Sequence, residues 1–337
     1  MPWDYVAESG QRLFWLYLLS SALIALLFTG LRAVRQQGFS IRQYWLHPSA
    51  LLDYRYFFVS WFIKVFMLAP LLVSAKSVAL WTFQLVSAWV PRLEWNPSYE
   101  TLAFLYTASL FVASDFTRYW LHRWLHTNKW LWQFHKVHHS APVLNPLTFY
   151  RVHPVENFLF GLRYALSAGV VTGLFMVLFG PRLSLVTLMG ANAFIFVFSL
   201  LGSNLRHSHV FLGYPAWLER WFISPAQHQV HHYSRYARFN YGGYLGVWDW
   251  IFGSLMPSGK AERAGQFGFQ AQQMNAYCTI PQLLYAPFVS CYRLLGYYYA
   301  KKKTVINSES SRRLGGLSRV ERAESGSGPV TVPDGRT

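Results

Sequence analysis

The histidines constrain what this chain can fold into more than any other feature. There are 12, and all but His47 lie between His122 and His232. His122 and His126 are spaced i, i+4, and His135, His138 and His139 are spaced i, i+3, i+4. His228, His231 and His232 repeat that HxxHH spacing. On a helix such residues share one face, with neighbours roughly 5–6 Å apart. Neutral imidazole is the commonest nitrogen ligand for zinc, iron, copper and nickel. These groups hold too many ligands for one metal ion, so the spacing predicts a two-metal centre built from separate helical segments. Between Asp115 and His232 the only carboxylates are Asp115, Glu156 and Glu219. The site is therefore expected to be predominantly histidine, unlike the Glu/His sites of soluble di-iron bundles.

Composition places these segments beside a membrane. Hydrophobic residues make up 53% of the 337, and charged residues only 13%, where soluble domains average about 25% charged. The net charge of +16 reads as basic cytoplasmic loops and headgroup contact, not as a nucleic-acid surface. Cys278 and Cys291 are the only cysteines and lie away from the histidines, so no disulfide framework is implied. Leu13–Leu31 is an apolar run long enough to span. It lacks a basic leader region and a small-residue cleavage site, so it reads as a retained helix. Arg32, Arg35 and Arg42 then mark its cytoplasmic end. Tyr56–Ala75, containing Lys64 and Pro70, is the second candidate span, and Val78–Val90 is too short to cross unaided. Thr101–Ser114 is a third, predicted to continue as one helix through Asp115 to His126. Tyr164–Phe179 and Leu183–Leu201, joined by Gly180-Pro181, read as a membrane hairpin that returns the chain to its starting side. Arg118, Arg123, Lys129 and Lys136 place the histidine groups on the cytoplasmic side. Tyr285–Ala300, followed by Lys301-Lys302-Lys303, reads as an interfacial helix, and residues 306–337 as a disordered tail.

Several motifs together resemble a known family. HRWLH (from His122), HKVHH (from His135) and HQVHH (from His228) are similar to the histidine boxes of the fatty acid hydroxylase/sterol desaturase superfamily of integral-membrane di-iron oxygenases. Asp115 with Tyr119-Trp120 resembles that family's D-x-x-x-Y-W run, and Asn204-Leu205-Arg206-His207 precedes the third box. Trp248-Asp249 with Phe252-Gly253 resembles its closing W-D-x-x-F-G signature, and His153-Pro154-Val155-Glu156 an HP-x-E segment. The resemblance covers about Asp115 to Pro257. It implies His122, His126, His135, His138, His139, His207, His228, His231 and His232 as metal ligands. His209 is a tenth, and His153 is either a ligand or a residue behind one. Asp115, about two helical turns before His122, is expected to orient a ligand imidazole. Asn204 is expected to orient a ligand or bound water, and Asp249 to serve either that role or a structural one.

The expected architecture is all-α and multi-pass, with a cytoplasm-facing helical cap holding the dimetal site. The expected divisions are membrane helices over 1–100, a catalytic domain over 101–260, an interfacial segment over 261–305 and the tail. The resemblance implies an O2-dependent lipid hydroxylase or desaturase using two irons, with zinc able to replace them in purified protein. Lipid would enter from the bilayer of a bacterial inner membrane or endoplasmic reticulum. No haem or flavin motif is present, so electrons are expected from an external cytochrome b5-like or ferredoxin-like donor with its reductase. A membrane zinc hydrolase is the first alternative, but HExxH is absent, and so is any carboxylate inside a box. A metal transporter is the second, but the predicted spans contain no histidine.

Overall fold

The computed structural model describes residues 1–36, 41–261 and 267–324, excepting the side chains of 29–41, 43, 271 and 303–324. Contacts divide the chain into two compact units, Met1–Pro287 and Phe288–Thr337.

The first unit is built on helices. α1 is Trp15–Gln36 and α2 is Pro48–Phe62. The chain then passes through a π-helical turn, Ile63–Leu68, and a 3-10 turn, Ala69–Leu71, into α3, Ala75–Ser87. Pro70 explains the break in the predicted Tyr56–Ala75 span: it has no N–H to donate, and its ring clashes with the carbonyl four residues back. The long helix α4 covers Tyr99–Thr127 without interruption, as the sequence predicted. Asn128 both ends it and starts the next. Its extended backbone leaves the helix, and its side chain accepts from Trp130 and Leu131 N–H to cap α5, Lys129–His139. The first two histidine boxes are thereby fixed on two helices joined by a single residue.

α6, Pro154–Phe179, begins with His153 as its cap and Pro154 at the first helical position. It packs on α3 through Gly169 and Gly173. A Cβ there would lie 2.4 Å from Val78 Cβ and 2.5 Å from Thr82 Cβ, respectively. This small-xxx-small spacing lets two helix backbones meet closely. α6 ends at Gly180, whose φ of +79° suits glycine.

The run after Gly180-Pro181 departs from expectation. Instead of a second spanning helix, residues 183–201 form a two-stranded turn and one short helix. Strands β1 (Thr187–Leu188) and β2 (Ala191–Asn192) pair antiparallel. Met189 and Gly190, both at positive φ, make the turn between them. Asn192 then caps α7, Ala193–Leu200. At 8 residues, α7 is about 12 Å long, well short of the roughly 30 Å hydrocarbon core. The run after Gly180 is therefore not the second spanning helix that the hairpin expectation required. What brings His207 to the earlier boxes is direct packing. The 3-10 turn Ser203–His207 lies against α8, Pro225–His232, which Ser224 and Gln227 start with a reciprocal capping box. A further short helix, α9, is Val247–Ile251.

Two helical stretches among the described residues, Pro48–Ser87 and Pro154–Phe179, are long and apolar enough to cross a membrane. Their most apolar windows are only 11% and 22% buried. Apolar helix surface left so uncovered suits lipid, whereas the core helix of a soluble protein would be covered. The Arg32 and Arg35 side chains, used above for orientation, lie outside the described residues.

α10, Ile280–Glu324, runs from the first unit into the second. Tyr292 and Tyr299 on it are about three-quarters exposed. The helical backbone continues to Glu324 through the start of the expected tail, and residues 325–337 lie outside the described residues.

Candidate metal centre

The boxes converge on two adjacent clusters. The nitrogens of His122, His126, His135, His139 and His231 lie within 4.8 Å of one another, and those of His138, His207, His228 and His232 form a second such group. Each HxxHH motif is split between them. His135 and His139 face the first cluster and His138 the second, while His228 and His232 face the second and His231 the first. The i, i+4 pair of a short helix thus serves one cluster and the remaining member the other. The His139 and His232 rings stack at 4.5 Å where the clusters meet.

In the first cluster three rings are held from behind. His135 Nδ1 is 2.8 Å from Glu156 Oε1, both residues being buried. His122 Nδ1 donates to the Tyr241 carbonyl at 2.8 Å, and His231 Nδ1 to the Phe239 carbonyl at 2.7 Å. A carbonyl oxygen only accepts, so these contacts put the proton on Nδ1 and leave the Nε2 lone pair facing the cluster. Nε2 of His126, His135, His139 and His231 is buried and finds no hydrogen-bond partner. Leaving such groups unsatisfied costs roughly 1–3 kcal/mol each, a penalty that a bound cation relieves.

The second cluster is closed on itself. His207 Nε2 lies 3.4 Å from His138 Nε2 and 3.2 Å from His228 Nε2, and His232 Nε2 lies 3.3 Å from His228 Nε2. Four nitrogens placed tetrahedrally about 2.0–2.1 Å from one ion would be about 3.3 Å apart. Burial, reinforced at all but His135 by neighbouring imidazoles and at His207 first by Arg12, pushes these histidines well below their ordinary pKa. His135, His138 and His231 are lowered to about 3, and His122, His126, His139, His207, His228 and His232 also lie well below it. All are neutral near pH 7, the state in which imidazole binds metal. The clusters therefore fit metal ions.

Carboxylates surround the clusters without entering them. Asp115 does not reach a histidine, contrary to the sequence expectation. Its oxygens accept from Tyr244 N, Leu245 N and Trp248 Nε1 at 2.8–3.1 Å, fixing the loop after the third box. Asp249 holds the same loop a few residues earlier. It accepts from Tyr241 N, Gly242 N and Ser254 Oγ, and so positions the Tyr241 carbonyl that orients His122. Glu219 accepts from Ser224 Oγ and from Ser258 N and Oγ, anchoring the start of α8.

Three other site expectations are corrected. His153 is a helix cap: its Nδ1 accepts from Val155 N and its Nε2 donates to the Leu284 carbonyl at 3.1 Å, so it joins neither cluster. His209 is exposed, with its ring edge-on to Tyr44 at 4.7 Å. Asn204 binds the N-terminal segment through Arg12 Nε and the Arg12 carbonyl, and its side chain makes no hydrogen bond to a histidine of either cluster. The residues that do orient ligands, Glu156, Phe239 and Tyr241, were missed as such. Glu156 alone had a signal, in the HP-x-E segment. The other two act through backbone carbonyls, which no side-chain pattern reports.

A cavity of about 260 Å³ opens onto both clusters, touching His122 and His135 of one and His138, His207 and His228 of the other. Tyr5, Phe57, Trp61 and Phe160 contribute apolar wall.

The comparisons with known proteins agree with this geometry. The fatty acid hydroxylase family matches residues 107–254. The chain is 28% identical over 175 residues to the very-long-chain aldehyde decarbonylase GL1-9 of Oryza sativa subsp. indica, covering 51% of this chain and 62% of that one. It is 30% identical over 149 residues to the Delta(7)-sterol 5(6)-desaturase erg3B of Aspergillus fumigatus, covering 43% and 38%. It is 27% identical over 168 residues to the lathosterol oxidase of Homo sapiens, covering 50% and 48%. The match thus spans less than two thirds of each relative's own length. No solved structure matches. With its boxes, its W-D-x-x-F-G loop and its paired histidine clusters all inside or beside the matched segment, residues 107–254 match the fatty acid hydroxylase family, and the similarity extends to sterol desaturases and an aldehyde decarbonylase.

Proposed function

We propose that the chain is a membrane-bound di-iron oxidoreductase that uses O2 to hydroxylate or desaturate a lipid. The observation that carries this reading is the division of nine neutral imidazoles into groups of five and four, all histidine. Hydrolysis would need a general base beside the metal, and the nearby carboxylates are committed to Nδ1 or backbone contacts. The curated relatives include sterol desaturases and a lathosterol oxidase, which supports oxidation of a lipid.

In this reading the first cluster and the second hold one iron each. Bound iron would supply the redox chemistry that activates O2. The protein's own contribution is positional. Glu156 and the Phe239 and Tyr241 carbonyls hold imidazoles in the ligating tautomer, and the aromatic wall excludes water from the reacting carbon. Hydroxylation converts a C–H bond, O2, two electrons and two protons into C–OH and water. Desaturation uses the same reagents to remove two hydrogens and release two waters. The electrons come from an external cytochrome b5-like or ferredoxin-like donor. Lipid enters from the bilayer beside the apolar helices, and the basic residues around the boxes favour a cytoplasmic site.

The test supplies 18O2, a reductase–donor pair and membrane lipid to iron-loaded protein. Oxygen-18 in a lipid identifies a hydroxylase, and an unlabelled new double bond a desaturase. The zinc-loaded form should fold and be inactive, because zinc has no redox chemistry. Full turnover by that form, or turnover without O2, would overturn the reading.

A further inference from the structure

The cavity in front of the clusters has a charge that the oxidative reading does not use. Its lining includes five cationic side chains, Arg12, Lys64, Arg118, Arg163 and Arg206, and one carboxylate, Glu156, which is hydrogen-bonded to His135. None of the five forms an ion pair among the described residues.

Their contacts are with neutral groups. Arg12 donates to the Ser203 carbonyl and to Asn204 Oδ1, and its guanidinium lies 4.3 Å over the Phe149 ring. Arg163 Nη1 donates to Ser114 O at 2.7 Å and Thr117 Oγ1 at 3.0 Å. Arg206, only 5% exposed, donates to the carbonyls of Gly243 and Ile223. Nε of both Arg163 and Arg206 is buried with no partner. Arg118 sits 6.0 Å over the Phe160 ring, and its neighbour Asp115 spends both oxygens on three N–H donors. Lys64 comes from the π-helical turn of a stretch apolar enough to cross a membrane, and its ammonium lies 3.5 Å from Tyr5 Oη. A lysine in such a segment is costly and marks a functional path, as does a π-helical turn.

Burying several guanidinium groups is strongly unfavourable, and the nearby Asp115 carboxylate, which acts on Arg118, Arg163 and Arg206, forms a direct ion pair with none of them and leaves the cavity with an excess of positive charge. A carboxylate or phosphate entering the cavity would offset that cost, and arginine's planar fork suits both. We infer that this cavity binds lipid by an anionic headgroup, a carboxylate or a phosphate, seated among Arg118, Arg163 and Arg206, with Lys64 on its entry path and the acyl chain against Phe57, Trp61 and Phe160. This deepens the oxidative reading and rests on it for what then happens to the chain. It separates this protein's ligand from an uncharged sterol.

The test is equilibrium binding to the full, metal-loaded chain in neutral detergent, read by tryptophan fluorescence. Two matched pairs serve as probes: oleate against methyl oleate, and oleoyl lysophosphatidate against monooleoylglycerol. At least one anionic member should bind ten-fold or more tightly than its neutral partner, with the advantage shrinking as salt rises. A preference in the first pair alone identifies a free acid, and in the second alone a phospholipid. Arg118→Gln should remove most of the advantage. If that variant fails to fold, Lys64→Gln, at the exposed rim, should still reduce it several-fold. Equal binding of neutral and anionic members by the unaltered protein overturns the inference, as does an advantage unchanged in both folded variants. Binding needs no turnover. Headgroup preference without oxidation would therefore defeat the oxidative reading and leave this one standing, and oxidation without preference would do the reverse.

Discussion

Removing the Glu156 carboxylate should weaken metal binding at one cluster while leaving the fold intact. The carboxylate lies 2.8 Å from His135 Nδ1, and both residues are 2% exposed. A hydrogen bond involving a charged group contributes roughly 1.5–3 kcal/mol, and loss of a partner behind a metal-bound histidine typically costs 10–100-fold in affinity. The two scales agree, since each factor of ten is about 1.4 kcal/mol. Glu156→Ala should therefore weaken the first cluster's metal about 100-fold. Glu156→Gln, whose amide oxygen still accepts from Nδ1–H, should cost about ten-fold. Stability of the metal-free protein should change little or rise, because a buried carboxylate is removed from an apolar site. The assay is cobalt(II) titration of metal-free protein in neutral detergent, following the ligand-field absorption and fitted to two sites, with thermal unfolding of the same samples. Unchanged affinity at both sites in Glu156→Ala would refute the reasoning. A parallel loss at both sites would show that Glu156 acts on the fold and not through His135.

Asp115→Asn replaces an acceptor of three N–H bonds by a group that presents its own NH2 to them. Unfolding in denaturant should show a loss of about 2–4 kcal/mol. The lowered histidine pKa values make the metal-free protein acid-sensitive. Between the unfolded value near 6.5 and the folded values of about 3 for His135, His138 and His231, the unfolded chain binds more protons. Stability is then full above pH 6.5 and falls as pH drops, by up to about 1.4 kcal/mol per pH unit for each such histidine. Denaturant midpoints measured from pH 7.5 to 4.5 check both sign and window. Gly169→Ala places a Cβ 2.4 Å from Val78 Cβ and should cost about 1–3 kcal/mol. Gly259→Ala, with nothing within 4 Å, should leave the melting temperature unchanged. His231→Ala should reduce bound metal at the first cluster and His138→Ala at the second, as read by metal analysis after dialysis.

The histidine centre was legible because ligand chemistry is carried by side chains whose spacing survives in the sequence. His135 and His139, or His228 and His232, announce a shared face before any fold is known. His153 misled for the opposite reason. Followed by Pro154, it occupies a helix-capping position, and capping uses the same ring nitrogen that a metal would. Asp115 was recognised as important and given the wrong partner. Its contacts are to Tyr244 and Leu245, far along the chain, and helical spacing reports only local neighbours. The uninterrupted helix Tyr99–Thr127 was readable from its unbroken pattern. The segment after Gly180 was misread because hydrophobicity alone sets neither helix nor length. Residues 183–192 are mostly apolar, yet Met189 and Gly190 turn there.

The two clusters are braced differently. Around the first, Glu156 and two backbone carbonyls grip the rings by Nδ1, so a ring that loses its ion stays aimed at the vacated centre. In the second, Nδ1 of His207 and of His228 finds no such grip, and the rings are registered mainly against one another through Nε2. The two candidate sites are therefore non-identical, one braced from behind and the other registered ring against ring. Under a chelator the second half should empty first and refill last, leaving a long-lived half-loaded protein. Such an order of filling would allow a different metal to be installed in each half without altering a single residue.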